Sequence, residues 1–270
     1  MKNIEISNYL KRINLTDCNN DLDGLINLQV NHIEHIPFEN LNVIVGRKIN
    51  LTIDHLFNKV VNNKRGGYCF ELNTLYSNLL TSLGFSSQPV LARVWLRNPA
   101  QTPPRTHLAH LIELDGETYI TDVGFGGLTT RIPLNINDPN EVNDKDGVIR
   151  IAPHGNNQFM VQRQVKGEWA NQYSFETVEI SFQDIEVANY FTSTNTKSHF
   201  CHDNFIGKFT ADGRIGLFNN QLSIRKGLEV VEKREISYGP EWLEAIKNSF
   251  DLTLDFSEKE FEMLFSKSSD

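Results

Sequence analysis

The chain has 270 residues, of which 39% are hydrophobic and 22% charged, and its formal net charge is −8. This acidic balance argues against general nucleic-acid binding, because there is no basic excess to displace counterions from a phosphate backbone, and no segment approaches the roughly 18 consecutive apolar residues of a membrane span. The three cysteines show no paired spacing, and the N-terminus is polar and has no signal-peptide segment. Both features favour a cytoplasmic globular enzyme. The length predicts two or three packed units.

The first third of the chain is predicted to be helical. Apolar residues at three- and four-residue intervals predict helices that begin at Leu22, at about Thr52 and at about Cys69. Gly84 is expected to stop the third helix, because glycine readily adopts the left-handed conformation that follows a helix. The segment 36–41 is too short and mixed in composition to be predicted as more than a turn.

Cys69 follows a glycine pair, Gly66 and Gly67, at the start of the third predicted helix. The partial positive charge of a helix N-terminus favours the thiolate form of a nearby cysteine, which is the nucleophilic form. A free cysteine is more often a small buried hydrophobic residue. The position of Cys69 by itself therefore leaves both a reactive and an inert thiol open.

A β-hairpin in the middle third supplies possible partners for the thiol. The pair Asp115-Gly116 between two apolar runs predicts a two-residue hairpin loop. In that register Asp122 lies opposite Ala109, and because side chains alternate between faces, His107 lies on the same face one diagonal step away. His110 points to the other face. A three-residue loop would reverse this choice between the two histidines.

Cys69, His107 and Asp122 together are typical of nucleophilic catalysis. In such a triad the imidazole takes the thiol proton, and the carboxylate fixes the ring tautomer and stabilises its charge. From spacing alone, the alternative is a core histidine bonded to a strand acid beside an inert thiol.

The last part of the chain is predicted to contain short strands at 159–165, 169–175, 205–210, 214–218, 221–225 and 228–233. Ser181 and Ser257 are each followed by an acid three residues later, which predicts two capped helices. His199, Cys201 and His202 lie close together, but no second ligand pair with recognised spacing exists, so no metal site is predicted.

Four motifs resemble those of the arylamine N-acetyltransferase family. They are I-P-F-E-N-L (36–41), R-G-G-Y-C-F-E (65–71), T-H-L (106–108) and D-V-G-F-G-G (122–127), and the resemblance covers nearly the whole chain, including 191–200. It implies an α+β fold of three domains around a cysteine-protease-like Cys-His-Asp core. The expected domains are a helical domain (1–85) with the cysteine, a β-barrel-like domain (86–190) with the histidine and acid, and an α/β lid (191–270).

The resemblance assigns roles residue by residue. It implies that Cys69 accepts the acetyl group, that His107 is the base, and that Asp122 orients it. The supporting residues that it implies are Phe38 and Phe125 as walls of the acceptor-amine pocket, Gly124, Gly126 and Gly127 beside bound coenzyme A, and Arg65 with Glu39 as a structural ion pair. The chain departs from the family at His199, Cys201 and His202, where apolar or small residues are usual.

The implied activity is transfer of an acetyl group from acetyl-coenzyme A to an arylamine or arylhydrazine through an acetyl-cysteine, without a metal, as in xenobiotic metabolism. A cytoplasmic monomer or homodimer is expected, with no nucleic-acid or membrane partner. The alternatives left open are an amide synthase that closes a macrolactam with the same triad, a thiol hydrolase of the papain or transglutaminase kind, and a small-molecule binding protein with an inert Cys69.

Overall fold

Helices dominate the first part of the chain in the computed structural model, which describes residues 1–128 and 130–266. The elements are α1 (Asn3–Arg12), α2 (Leu22–His35), β1 (Phe38–Glu39), α3 (Leu41–Ile44), α4 (Ile53–Phe57), which a π-helical turn (Asn58–Asn62) continues, and α5 (Cys69–Ser82). The three predicted helices are confirmed as α2, α4 and α5, and Gly84 follows α5 with φ +96°. Helix α1 was not predicted.

A curled antiparallel sheet of eight strands follows. Its strands are β2 (Ser86–Val94), β3 (Arg105–Leu114), β4 (Glu117–Thr121), β5 (Leu134–Asn135), β6 (Val142–Asp144), β7 (Gly147–Pro153), β8 (Gln158–Val165) and β9 (Glu168–Glu176), in the order β5-β4-β3-β2-β9-β8-β7-β6. Strand β5 also contacts β7, so the sheet curls toward closure. Its concave side is filled by buried apolar residues such as Val90, Ile120 and Val161.

The predicted two-residue hairpin between β3 and β4 is confirmed. Asp115 and Gly116 both have positive φ, 53° and 82°, as the favoured hairpin turn requires. Leu114 pairs with Glu117 and His110 pairs with Thr121, which is the predicted register. The face assignment made for His107 therefore stands.

The last part of the chain forms a second sheet flanked by helices. The elements are α6 (Phe182–Thr194), a 3₁₀ turn (His199–Cys201), β10 (Phe205–Thr210), β11 (Gly213–Phe218), β12 (Gln221–Lys226), β13 (Glu229–Glu235), α7 (Pro240–Phe250) and α8 (Glu258–Ser266). Helices α7 and α8 pack through Trp242, Phe250 and Leu264 against apolar residues of the sheet. Helix α7 was not predicted, and the expected domain limit at 190 falls inside α6.

The segment 36–41 is more than the turn expected from its composition. Phe38 and Glu39 form β1, which pairs with Gly207 and Ile206 of β10 and completes the sheet order β1-β10-β11-β12-β13. The pairing partner lies far along the chain, so no local pattern could reveal it. The segment therefore joins the helical part to the last sheet.

Three buried apolar clusters hold these parts together, the largest between the N-terminal helices and β3. No helix in the described part of the chain has both the length and the apolar content that a bilayer crossing requires.

Candidate active site

Cys69 is the first residue of α5 and is buried, with 3% of its surface exposed. Tyr68 before it is extended, with φ −96° and ψ −177°, so the chain turns sharply into the helix. A Cβ atom at Gly66 would lie 2.0 Å from the carbonyl oxygen of Pro37, so only glycine allows this approach. The thiol points toward β3, where Sγ lies 3.7 Å from the carbonyl oxygen of Thr106.

His107 and Asp122 form a buried hydrogen-bonded pair beside this cysteine. Nε2 of His107 lies 2.7 Å from Oδ2 of Asp122, and the two side chains are 3% and 0% exposed. Because Nε2 is bonded to the carboxylate, Nδ1 is the nitrogen left to exchange a proton with the thiol of Cys69. The structure therefore brings the three predicted catalytic residues together.

Asn73 is a site residue that the sequence reasoning missed. Its Nδ2 donates to Oδ1 of Asp122 at 2.9 Å and to the carbonyl of Leu108 at 2.7 Å, while its Oδ1 accepts from the backbone N–H of Val123 at 3.0 Å. Asn73 lies one helical turn after Cys69, and this four-residue spacing on one helix face was the available signal. The side chain ties α5 to the loop that carries Asp122.

Electrostatics favour a charged His107 at neutral pH. Burial by itself lowers the pKa of His107, but the charge of Asp122 and hydrogen bonds with Asp122 and Cys69 outweigh it and raise the pKa to about 10. Burial by itself raises the pKa of Asp122, yet His107, Asn73 and Gly124 together hold it below its usual value. Burial lowers the pKa of His110 to about 4, so that ring is neutral at pH 7.

A buried ion-pair network braces the turn before Cys69. Arg65 Nη2 lies 2.7 Å from Glu39 Oε1, and Lys59 Nζ lies 2.8 Å from Glu71 Oε1. Burial by itself raises the pKa of Glu39, but the charges of Arg65 and Lys59 hold it at about 2. Glu71 also accepts a hydrogen bond from the backbone N–H of Tyr68 at 3.2 Å. The expected Arg65–Glu39 pair is thus present, and Glu71 pairs with Lys59.

A cleft of about 240 Å³ opens beside the triad. Phe38, Phe125, Gly126 and Gly127 line it, and Phe125 also contacts the His107 ring, with 5.2 Å between ring centroids. Phe125 therefore connects the cleft with the buried pair.

The three loop glycines lie in different environments. Gly124 packs on the active site, where its N–H donates to Oδ1 of Asp122 at 2.8 Å and a Cβ would lie 2.9 Å from Cα of Cys69. Gly126 has φ +74°, and a Cβ there would lie 2.8 Å from the Phe38 ring. Gly126 and Gly127 line the cleft, whereas Gly124 does not.

His199, Cys201 and His202 do not form a metal site in the structure. The His199 side chain is 85% exposed, and Nε2 of His202 lies 2.6 Å from the carbonyl oxygen of Thr196. Among residues 1–128 and 130–266, no group of three or more histidine, cysteine, aspartate or glutamate side chains could hold a metal ion.

The sequence of the chain matches those of known proteins over most of its length. Residues 21–259 match the family model described as N-acetyltransferase. The arylamine N-acetyltransferase of Escherichia coli K12 is 32% identical over 259 residues, which cover 93% of this chain and 89% of that protein. A Mycolicibacterium smegmatis arylamine N-acetyltransferase is also 32% identical, over 93% of both chains.

Solved structures agree over almost the whole length. The arylamine N-acetyltransferase from Salmonella typhimurium superposes with a TM-score of 0.92 at 29% identity, covering 97% of this chain and 98% of that one. The Mycobacterium marinum arylamine N-acetyltransferase in complex with CoA superposes with a TM-score of 0.91 at 29% identity and the same coverage. The chain belongs to the arylamine N-acetyltransferase family.

Proposed function

We propose that this protein transfers the acetyl group of acetyl-coenzyme A to the nitrogen of an arylamine or arylhydrazine, through an acetyl group carried on Cys69. The observation that carries the proposal is the buried His107–Asp122 pair, at 2.7 Å, beside a cysteine at the start of α5. The relatives are named arylamine N-acetyltransferases, and the structure of one of them was solved in complex with CoA, which supports the same activity. They disfavour the amide synthase and thiol hydrolase alternatives.

Before the first half-reaction, His107 holds the proton of the Cys69 thiol, and the resulting thiolate attacks the carbonyl carbon of the thioester. The bond from that carbon to the sulfur of coenzyme A then breaks, and the leaving thiolate recovers the proton from the imidazolium. The N–H of Cys69 is among the first N–H groups of α5, which have no acceptor within the helix, so it is the first candidate to stabilise the oxyanion.

In the second half-reaction, the amine nitrogen attacks the acetyl carbon and loses a proton to His107, while the Cys69 thiolate leaves. Asp122 stabilises the imidazolium in both steps, because its carboxylate is held below its usual pKa and bonded to Nε2. A weakly basic aromatic amine needs little help to lose its proton after attack, which suits a histidine base.

The cleft favours a flat apolar acceptor beside the triad. Phe38 and Phe125 give it aromatic walls, and Gly126 and Gly127 let a ligand approach the backbone. We propose Phe38 and Phe125 as contacts of the acceptor amine, and the loop containing Gly124, Gly126 and Gly127 as the segment beside coenzyme A. Arg65 and Glu39 act as structural support, and the enzyme works in the cytoplasm as a monomer or homodimer.

Intact-protein mass spectrometry tests the proposal. Wild-type protein mixed with acetyl-coenzyme A and rapidly quenched without an amine should gain the mass of one acetyl group, which is lost again when an arylamine is added. Cys69→Ser should gain no acetyl group, whereas Cys18→Ser and Cys201→Ser should behave as wild type. A wild-type chain that turns over an arylamine but never carries the adduct would contradict the covalent route.

A further inference from the structure

One face of the last sheet lines the cleft. Residues that pair directly across antiparallel strands share a face, and the ladders place Phe38, Gly207, Gly216 and Ser223 side by side. Phe38, Gly207, Gly216 and Ser223 all line the cleft. Three strand intervals of about 4.8 Å make this row about 14 Å long. The two glycines add no side chains of their own to the middle of the row, and the Phe205 ring lies beside Gly207, where a Cβ would be 3.2 Å from it.

Two arginines lie on the same face in the next row. Arg214 pairs directly with Arg225 across β11 and β12, and both line the cleft. Like charges directly opposite each other on a sheet repel and destabilise it. Two positive charges are thus held together at the end of the cleft away from Phe38, in a protein of net charge −8.

Neither of these two arginines has an ion-pair partner within the described residues. In residues 1–128 and 130–266 neither Arg214 nor Arg225 forms an ion pair, whereas nearby Arg131 pairs with Asp146 at 2.6 Å and Arg163 pairs with Asp144 at 2.6 Å. Nη1 of Arg214 is buried, and no described residue forms a hydrogen bond with it. Arg225 donates one bond, to the carbonyl of Leu228 at 3.4 Å.

Three other arginines lie close enough to Arg214 to act on its charge. Burial lowers its pKa to about 10; Asp146 opposes this shift, and the charges of three other arginines, Arg225, Arg163 and Arg131, add to it. A bound anion would reduce the repulsion between Arg214 and Arg225 and would accept a hydrogen bond from Nη1 of Arg214. Lys208 also touches the cleft, but it alternates with Gly207 along β10 and pairs with Ile215, whose side chain packs toward α7 and α8 on the opposite face.

We propose that Arg214 and Arg225, with the hydroxyl of Ser223, bind the phosphate groups of coenzyme A, while the pantetheine chain lies along Phe38, Gly207 and Gly216. The guanidinium fork suits phosphate oxygens, because it donates paired charge-assisted hydrogen bonds. The row starts at Phe38, which packs on Gly126 of the active-site loop, so a thioester near Cys69 would direct its phosphates toward the arginines. This assignment rests on the proposed function.

Calorimetric titration of the wild type and three variants tests this assignment. Dissociation constants for coenzyme A and for pantetheine, which has no phosphate, would be measured for wild type, Arg214→Gln, Arg225→Gln and the double variant. Each single substitution should weaken coenzyme A binding by about 10-fold to 100-fold, as expected for loss of a hydrogen bond to a charged group, and leave pantetheine binding unchanged. Arg234→Gln is the matched control, because that exposed arginine pairs with Leu222 on the other face of the sheet.

Thermal unfolding separates binding from a structural role. Without ligand, Arg214→Gln and Arg225→Gln should melt at or above the wild-type temperature, because a repulsive pair is removed. Acetylation of Cys69 by a phosphate-free acetyl thioester should proceed at the wild-type rate in both. Lower melting temperatures together with an equal loss of pantetheine binding would overturn the assignment.

Dephospho-coenzyme A identifies the phosphate involved. If the variants bind dephospho-coenzyme A more weakly than wild type does, the arginines bind the diphosphate. If the variants bind it as tightly as wild type does, the arginines bind the 3′-phosphate. Either result supports the assignment. Wild-type protein that binds no coenzyme A would overturn the proposed function and the assignment together. Tight binding that the double variant leaves unchanged would overturn the assignment alone.

Discussion

The carboxylate of Asp122 accepts hydrogen bonds from three groups. We expect Asp122→Asn to disable the triad without unfolding the protein. Oδ1 accepts from Asn73 at 2.9 Å and from the N–H of Gly124 at 2.8 Å, so the oxygen of the new amide must stay on that side. Its NH₂ group then faces Nε2 of His107, which can only accept. The ring proton moves to Nδ1, and the nitrogen needed to take the Cys69 proton is blocked.

The expected loss is about 10³-fold to 10⁴-fold in the rate of Cys69 acetylation, comparable to the wrong-tautomer effect in a serine protease triad. Rapid-quench mass spectrometry measures this rate directly. Alkylation of the thiol by iodoacetamide gives a second readout. At one fixed pH the variant should be alkylated more slowly than wild type, because its imidazole cannot take the thiol proton.

Asp115→Asn is the matched control. Asp115 occupies the exposed hairpin turn at φ 53°, a conformation that asparagine tolerates, so the same chemical change there should leave both rates unaltered. An Asp122→Asn protein that folds and retains the wild-type acetylation rate would refute the assignment of Asp122 as the orienting acid.

Three further changes test the surroundings of the site. Glu39→Gln should lower the free energy of unfolding by about 3–5 kcal/mol in urea titrations, because Arg65 would lose its buried counter-charge and keep only the exposed Asp255 as a partner; a loss below about 1 kcal/mol would contradict this. Gly126→Ala should lower stability by about 1–3 kcal/mol and weaken amine binding, because φ is +74° and the Cβ would meet Phe38 at 2.8 Å; unchanged KM and unfolding midpoint would contradict it. His107 has a pKa of about 10 in the folded protein against an ordinary 6.5, so its stabilising contribution is complete below about pH 6.5 and is lost as the pH rises through 10. The difference in unfolding free energy between wild type and His107→Gln should therefore shrink from pH 7 to pH 10, and a constant difference would refute the raised pKa.

Much of the candidate site follows from short-range patterns. The choice of His107 over His110 needs only the positive-φ pair Asp115-Gly116 and the two-residue period of a strand, and the structure has that register. The placement of Cys69 at a helix start follows from helical periodicity and the glycines before it. Both are decided by residues within a few positions of each other.

Other features depend on partners that are distant in sequence. Asn73 reaches Asp122 across 49 positions, and Phe38 pairs with Gly207. The π-helical turn after α4 places Lys59 against Glu71, a contact that ordinary helical periodicity does not predict. Such contacts form only once the chain has closed long loops, and many loop closures are compatible with one sequence pattern.

The sequence by itself determined which residues are chemically competent and which face of each element they occupy, because periodicity, caps and turn dihedrals are local properties of the backbone. Only the tertiary structure decided that α5 lies against β3, so that Cys69 faces the His107–Asp122 pair, and that Arg214 and Arg225 share one cleft with Phe38. The physical reason is that packing selects one arrangement among many by burying apolar surface and satisfying buried polar groups over the whole chain at once.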